Sequence, residues 1–390
     1  MTAMQEYNGR HYETGTIANW LRASGHGIGE EMAFGASGGI AFGCFVFEYT
    51  GQLPHVALLP RNTFSPFERA LDNLGIRRTS METVKADKGE ENLRRELDLG
   101  HAVVVWGDIF SASWIGLPKT GMWAMVPMLV VGFEGGDYLV VDQCRQPIKV
   151  AAAELLAMRA KVKKDRFRIM ILDGVEAGRQ KEGFRSGIET CLALYLDKPP
   201  AGSAKNWGAI GLEALAKSVL DDKSAAGWGQ RFGSGDNFKQ AVAGKLGQPG
   251  VWDWIEGWGT GPGADRGTFA SFLRQAGPEI GKDLGSVAQL FDACAPLWSA
   301  VAEAALPDSV PPLKRLKEIK QERARLRFAD TTGSAPRRAE LAEEYKEIWS
   351  GCGDLAAEAP SIRSAMAGAL NAVQKVEREA ILALRSAMGR

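Results

Sequence analysis

The hydrophobic positions in the first part of the chain alternate between helical and strand-like spacing. Ile17, Trp20 and Leu21 share one helical face, and Ser65 followed by Pro66 is a typical helix start. The spacing predicts helices over residues 16–23, 28–34, 65–74, 90–99 and 152–160, and strands over residues 44–49, 55–59, 102–106, 125–133, 138–141 and 167–172. Because short connections join several of these strands, we expect a largely antiparallel sheet in an α+β fold.

The spacing becomes helical almost throughout after residue 173. Residues 284–305 carry an apolar stripe at helical intervals. Further helices are predicted over residues 312–327, 334–349 and 361–388. The last of these either packs back on the helical part or pairs with a second copy of the chain in a homodimer. We therefore predict an α+β domain at residues 1–177, an all-α domain at 178–330 and a helical extension at 331–390.

Composition removes several classes of protein. The 390 residues contain 47 Lys and Arg and 47 Asp and Glu, and a net charge of zero disfavours nucleic-acid binding. No run of 18 apolar residues and no signal-peptide pattern is present, so we expect a cytoplasmic protein without a membrane partner. The 5 Cys show no metal-ligand spacing, and the 4 His all lie within the first 101 residues. We expect neither a metal nor another cofactor.

Two pairs of motifs resemble one known family. The first pair is GRHYETGTIANWL at 9–21 with GEEMAFGASGGIAFG at 29–43, and the second is GWGTGPGADRGTFASFLRQAG at 257–277 with LWSAVAEAALPD at 297–308. Together they resemble the N-terminal domain of butirosin biosynthesis protein H and the helical domain that usually follows it.

The resemblance implies a papain-like, cysteine-protease-type fold followed by an all-α domain. It also implies an acyltransferase that moves an amino-acyl group from a carrier-protein thioester onto an amine of an aminoglycoside. The implied mechanism is covalent: a Cys at a helix start attacks the thioester, a His on a later strand activates it, and an Asp or Asn orients the His.

The sequence departs from the family pattern at two of these three positions. The nucleophile position holds Tyr12, and the strand at 125–133 contains no His, so that Val126 or a neighbour stands at the base position. Asp142 matches the third position. A phenol, with an ordinary pKa of about 10, is a poor nucleophile at neutral pH. Tyr12 is therefore either an activated nucleophile or a residue that fills the vacated space. Asp142 either orients a partner or binds a cation, or it has a structural role.

Further candidates surround these positions. His11, next to the nucleophile position, either shapes the helix start or replaces the missing base, so Tyr12, Asp142 and His11 are the catalytic candidates. Cys44, in an apolar run typical of a buried strand, and Cys144 are alternative sources of a thiol. The resemblance marks six positions as substrate-binding candidates: Glu13, Gly38, Gly39, Asp108, Thr260 and Arg266. The loop with the last two residues is either a tight turn or a ligand-contacting lid.

The helix at 312–327 is strongly basic. Its cationic residues are Lys314, Arg315, Lys317, Lys320, Arg323, Arg325 and Arg327. Glu318 and Glu322 are interleaved with them, a pattern typical of a solvated helix with salt bridges. The alternative is a docking surface for an acidic partner such as a carrier protein.

The leading hypothesis is a degenerate family member. It would bind a small-molecule substrate, a carrier-linked intermediate or a partner biosynthetic enzyme without catalysing thiol chemistry. The alternative is an active acyl or amide transferase whose chemistry has been rebuilt around Tyr12 and Asp142.

Overall fold

The computed structural model describes residues 6–118, 124–162, 166–197, 199–258 and 261–390. Its first part mixes helices and strands in the following chain order: α1 (Tyr12–Ala23), α2 (Glu30–Ala36), β1 (Cys44–Phe47), β2 (His55–Leu58), α3 (Pro66–Leu74), β3 (Ile76–Met81), α4 (Ala86–Asp98), β4 (Val103–Asp108), β5 (Met125–Glu134), β6 (Asp137–Val141), β7 (Ile148–Ala151), α5 (Ala152–Ala160) and β8 (Ile169–Val175).

The rest of the described chain is helical. Its helices are α6 (Gln180–Leu196), α7 (Gly208–Leu220), α8 (Trp228–Arg231), α9 (Gly235–Val242), α10 (Val251–Glu256), α11 (Arg266–Ile280), α12 (Gly285–Ala305), α13 (Pro311–Ala329), α14 (Ala335–Gly351) and α15 (Ala359–Met388). Within the described ranges, none of these helices is long and apolar enough to cross a membrane.

The strands form two antiparallel sheets. The larger sheet has the strand order β3-β8-β4-β5-β6-β7, and β1 pairs with β2 in a separate hairpin. The α+β class and the largely antiparallel pairing are thereby confirmed. β4 and β5 lie in the middle of the larger sheet, which explains why their sequences are nearly continuous apolar runs.

Three details of the prediction were wrong. The run at 44–49 is not a buried strand, because β1 is only half-buried and Phe47 is 40% exposed. Its rings stack on one another instead, with Phe47 between Phe45 and Tyr49. Helix α1 begins four residues before the predicted start, and the predicted strands omit β3 and β7. These two strands are the edges of the larger sheet, where half of the strand faces solvent and the apolar pattern is weak.

Helix α1 packs against the centre of the larger sheet. The hydroxyl of Thr16 donates to the carbonyl of Pro127 on β5, at 3.3 Å. In β5, Leu129 lies opposite Val141 of β6, so Asp142 follows directly at the end of the neighbouring strand. This register brings the start of α1 and the end of β6 to the same side of the sheet.

The C-terminal helix α15 packs back on α12 and α7. It therefore follows the first of the two arrangements predicted for it, while the homodimer stays a prediction. The division at residues 177 and 330 also stays a prediction, and side-chain contacts cross both positions.

The most extensive of these contacts is a buried ion pair between Arg266 and Glu377. Both side chains are almost fully buried, and the guanidinium donates to both carboxylate oxygens, at 2.9 and 2.7 Å. Trp298 donates to the same carboxylate at 2.6 Å, and Tyr195 donates to it at 2.5 Å. Arg266 also donates to the backbone carbonyl of Ala41 at 3.1 Å. The pair thus joins α11 and α15 to the chain between α2 and β1.

Replacing one member of this pair should destabilise the whole protein. In Glu377→Gln the buried guanidinium loses its counter-charge, and we expect the free energy of unfolding to fall by about 3–5 kcal/mol. Denaturant unfolding followed by circular dichroism measures this change. Glu379→Gln, at an exposed position of the same helix, is the matched control and should cost less than about 0.5 kcal/mol. Equal losses of unfolding free energy in Glu377→Gln and Glu379→Gln would contradict a stabilising role of the Arg266–Glu377 pair.

Candidate functional site

The side chain of Tyr12 occupies the first turn of α1. Glu30 fixes the backbone just before this helix. Its carboxylate accepts from the backbone N–H groups of Arg10 and His11, both at 2.8 Å. Burial raises the pKa of the Tyr12 phenol; the Arg327 guanidinium opposes this shift, and the Asp142 carboxylate adds to it. The phenol is therefore protonated at neutral pH.

Asp142 lies beside this phenol and accepts two hydrogen bonds. The indole N–H of Trp114 donates to its Oδ2 at 2.9 Å, and Arg327 donates to the same oxygen at 3.0 Å. Arg327 also interacts with the hydroxyl of Tyr12. A guanidinium carried by α13 thus bridges the phenol and the carboxylate.

The strand predicted to hold the base contributes only apolar side chains here. Val126 lies on β5 opposite Gly107 and is buried. The structure therefore brings Tyr12 and Asp142 together, as predicted, but with Arg327 as the third group. A guanidinium is protonated at neutral pH and cannot accept a proton from a nucleophile.

His11 points away from this cluster. Its Nε2 lies 2.9 Å from Asp265 Oδ1, its Nδ1 lies 3.1 Å from Glu30 Oε1, and its ring stacks on Phe34. Burial alone would lower the pKa of His11, but the two carboxylates outweigh burial and raise it to about 9. An imidazolium that donates from both nitrogens is not a general base, so the geometry does not support a catalytic role for His11.

The second glycine-rich loop forms a tight turn. Gly263, Ala264 and Asp265 have φ values of 62°, 56° and 65°, a left-handed run that costs conformational energy in the two non-glycine residues. The turn places Asp265 against His11 and Arg266 against Glu377. Every described contact of Arg266 is with protein groups, so its predicted contact with a substrate stays untested. Thr260 lies outside the described residues.

Glu13 and Asp108, two further predicted substrate contacts, are bound by other groups of the protein. Glu13 pairs with Arg61 at 3.1 Å. Asp108 is buried and accepts from Ser111 Oγ at 2.7 Å and from the backbone N–H of Ala124 at 2.9 Å, which caps the turn after β4. Substrate binding by Glu13 and Asp108 stays a prediction.

Gly38 and Gly39 are required by close packing. Their φ values are 107° and 59°, in the region that favours glycine. A Cβ at Gly38 would lie 2.7 Å from the amide of Asn62, and one at Gly39 would lie 2.5 Å from the ring of Phe269. The described contacts give both glycines a structural reason, and their predicted part in substrate binding stays untested.

The two candidate thiols are both protonated at neutral pH. Burial raises the pKa of Cys44 to about 12, and burial likewise raises that of Cys144 to about 12. The Cys144 sulfur accepts from the backbone N–H of Asp142, at 3.3 Å. Neither group has the thiolate character that a nucleophile needs.

A cavity of about 370 Å³ opens beside Tyr12. Its apolar lining includes Ile115, Leu117, Leu246, Pro249, Trp252 and Trp258, and its basic lining comprises Lys245, Lys320, Arg323, Arg327 and Arg338. A second cavity, of about 1100 Å³, shares Leu117, Lys245, Leu246, Arg323 and Arg338 with the first and continues along α14. Sites for small molecules commonly have volumes in this range.

The basic helix α13 is not the solvated helix that the charge pattern favours. Lys320 and Arg323 are buried, and Arg327 is only 15% exposed. The spacing of these three residues, at positions i, i+3 and i+7, puts them on one helical face. This spacing was the sequence signal from which their shared location could have been predicted. Arg338 and Trp114 had no comparable signal in the sequence, since the fold alone brings them to the site.

No metal site is evident in the part of the chain that the structure describes, where no group of three or more His, Cys, Asp or Glu side chains could hold an ion.

The site thus belongs to an α+β protein in which a tyrosine at a helix start, an arginine and a strand-end aspartate form one cluster. Residues 11–143, about a third of the chain, match the family model described as "Butirosin biosynthesis protein H, N-terminal". The recognition of this family is confirmed for these residues, which include Tyr12 and Asp142. A comparison with curated proteins finds no match.

The His11 cluster should make stability depend on pH. Because the pKa of His11 is about 9 in the folded protein and about 6.5 unfolded, its stabilisation is complete below pH 6.5 and is lost as pH rises through 9. We expect His11→Gln to lower the free energy of unfolding by about 3 kcal/mol at pH 6, with a clearly smaller difference at pH 9.5.

Denaturant unfolding at several pH values measures this difference. His101, which is about half exposed and pairs with Glu96, provides the matched control, since His101→Gln should change stability by less than about 1 kcal/mol. A loss in His11→Gln that is the same at pH 6 and pH 9.5 would show that the charge of His11 is not responsible.

Proposed function

We propose that this protein is a degenerate member of the family, with a papain-like α+β domain that binds a ligand and does not form acyl–enzyme intermediates. The placement of Tyr12 at the start of a helix on the sheet, with Asp142 at the end of a neighbouring strand, supports the papain-like arrangement. In that arrangement the two residues stand at the first and third positions of the family's catalytic triad.

A single observation carries this proposal: Arg327 bridges Tyr12 and Asp142. The hydrogen bond that Asp142 would accept from a catalytic histidine is replaced by hydrogen bonds that it accepts from the Arg327 guanidinium and from the indole N–H of Trp114. A guanidinium stabilises a neighbouring negative charge but removes no proton. The cluster therefore has the geometry of a binding site and lacks the base of a covalent mechanism.

The protonation of the candidate nucleophiles supports the same conclusion. Tyr12 has a raised pKa, and the thiols of Cys44 and Cys144 have pKa values of about 12. At neutral pH all three groups are neutral and weakly nucleophilic.

The space beside Tyr12 supports binding rather than a purely structural role. The residues around Tyr12 leave the cavity of about 370 Å³ open next to its side chain. A small molecule or the end of a carrier-linked intermediate fits such a volume. A partner biosynthetic enzyme that delivers or receives this ligand belongs to the same proposal.

An acylation assay tests the proposal. The protein is incubated with a series of N-acetylcysteamine thioesters, and intact mass spectrometry measures covalent adducts. We expect no adduct on the natural protein, because no group at the site is both deprotonated and nucleophilic. Tyr12→Cys is the matched control: its smaller side chain would stand beside the Arg327 guanidinium, which favours the thiolate, and should acquire the acyl group at pH 8.5.

Adduct formation or thioester turnover by the natural protein would contradict the proposal. The comparison with Tyr12→Cys ensures that a negative result reflects the chemistry of the site and not the choice of thioester.

The second candidate function is an acyl or amide transferase with rebuilt chemistry. It is favoured by one observation, namely that the positive charge of Arg327 stabilises the phenolate form of Tyr12 and opposes the effect of burial. In this case turnover should rise with pH and should be lost in Tyr12→Phe, which keeps the ring but removes the hydroxyl. Turnover that persists in Tyr12→Phe would exclude this function.

A further inference from the structure

Three guanidinium groups converge on the boundary between the two cavities. Arg323 and Arg327 extend from α13, and Arg338 extends from α14. A Cβ built at Gly116 would lie 3.7 Å from Nη2 of Arg323 and 3.8 Å from Nη1 of Arg338, so the two groups approach the same point. Arg323 and Arg338 line both cavities, and Arg327 lines the one beside Tyr12.

Two of these guanidiniums have no carboxylate partner among the described residues. Arg323 donates to the carbonyls of Gly116 and Arg338, and Arg338 donates to the carbonyls of Trp114, Ile115 and Thr331 and to the hydroxyl of Ser334. These carbonyl and hydroxyl groups occupy only part of the five N–H donors of each guanidinium and carry no charge. The Asp330 carboxylate acts on Arg338 from beyond salt-bridge distance. Of the three, only Arg327 has a salt bridge with a described residue, namely Asp142 at 3.0 Å.

The mutual repulsion of these groups is considerable. Burial, with added effects of Arg338 and Arg327, lowers the pKa of Arg323 to about 10. Burial and Arg327 also lower the pKa of Arg338, and the Asp330 carboxylate opposes this shift in part. Like charges held together in a partly dry cavity are relieved by a bound anion, because the anion replaces repulsion by attraction.

The acidic residues that line the cavities do not neutralise the positive charge of the three arginines. Asp253 is neutralised by Lys320, at 2.6 Å, and the carboxylates of Glu340 and Glu343 pair with Arg337 and Lys346. Burial raises the pKa of Glu256, whose carboxylate accepts from Ser299. The boundary between the cavities is therefore cationic.

We infer that the guanidiniums of Arg323, Arg327 and Arg338 form the receptor for the carboxylate or phosphate head of a small organic anion whose apolar body lies along the cavity walls. The apolar groups next to the head are Leu117 and Leu246, which line both cavities, and Trp252 beside Tyr12. Guanidinium groups bind both heads through paired N–H donors, so both belong to the inferred ligand class.

This inference rests on the proposed function and specifies its ligand. All three arginines lie outside residues 11–143, so the part of the chain that matches the family does not supply them. The cavity would repel a polycationic amine, and the ligand therefore differs in charge from the aminoglycoside acceptor that the resemblance implies.

Calorimetric titration of the full-length protein tests the charge requirement. The probes are octanoate, octyl phosphate and octanamide, which share an apolar chain and differ in the head. We expect at least one anion to bind about tenfold or more tightly than neutral octanamide, and spermidine not to bind in the cavity. Tighter binding of octyl phosphate identifies a phosphate receptor, and tighter binding of octanoate identifies a carboxylate receptor. Equal binding of the anions and octanamide, or no binding of any anion, would overturn the inference.

Substitution at the receptor locates the binding. Arg323→Gln should weaken binding of the preferred anion about tenfold or more, whereas Arg323→Lys, which keeps the charge, should weaken it less. Arg337→Gln is the matched control, because Arg337 is adjacent to Arg338 in sequence but is about half exposed and pairs with Glu322 and Glu340. Equal affinity of Arg323→Gln and Arg337→Gln would exclude the receptor.

A further measurement uses the natural protein and does not depend on whether the variants fold. Phenylglyoxal modifies arginine side chains, and peptide mass spectrometry locates the modified residues. The preferred anion should slow modification of Arg323 and Arg338 but not of Arg337, and protection that does not distinguish these residues would count against the site. The acylation assay is independent of these results: thioester turnover would overturn the proposed function and leave anion binding intact, whereas failure of anion discrimination would overturn only the ligand class.

Discussion

The buried pair of Arg266 and Glu377 is the interaction on which the arrangement of this protein depends. A charge removed from water is tolerated only where its partners are close and numerous, and the Glu377 carboxylate receives donors from Arg266, Trp298 and Tyr195. These residues come from α11, α12, α6 and α15. The pair therefore holds the C-terminal helix against the centre of the molecule, and the neighbouring Asp265 holds the turn before α11 against His11 at the start of α1.

This arrangement determines the chemistry at Tyr12. The start of α1 is positioned by Glu30 and by the His11–Asp265 contact, and the side chain of Tyr12 then lies beside Asp142. Helix α13, part of the same helical assembly, brings Arg327 to both residues. The Arg327 guanidinium thereby takes the position from which a catalytic imidazole would contact Asp142. Its positive charge faces an open cavity, and this arrangement is the basis of the proposed binding function.

Much of the fold could be predicted from apolar spacing, because buried helices and central strands follow simple periods. β4 and β5 were predicted within a few residues, whereas β3 and β7 were missed because edge strands carry polar residues. The candidate site was predicted in part. Tyr12 and Asp142 were found through motifs, but Arg327 was assigned to a solvated helix face. Charge spacing along one helix does not reveal whether other elements cover that face, and here Asp253, Gly116 and Asp142 contact its basic side chains.

The sequence by itself determined the α+β class, the family resemblance, and the absence of any histidine after residue 101, which removes the expected base from β5. These properties depend on local periodicity and on residue identity at motif positions. Only the tertiary structure decided that His11 lies between two carboxylates, which favour its imidazolium form. The same holds for the pairing of Asp142 with Arg327 and for the approach of Arg323 and Arg338 to one point. Each of these depends on contacts between residues far apart in the chain, where the low polarity of the interior makes a few ångströms decide the charge and partners of a group.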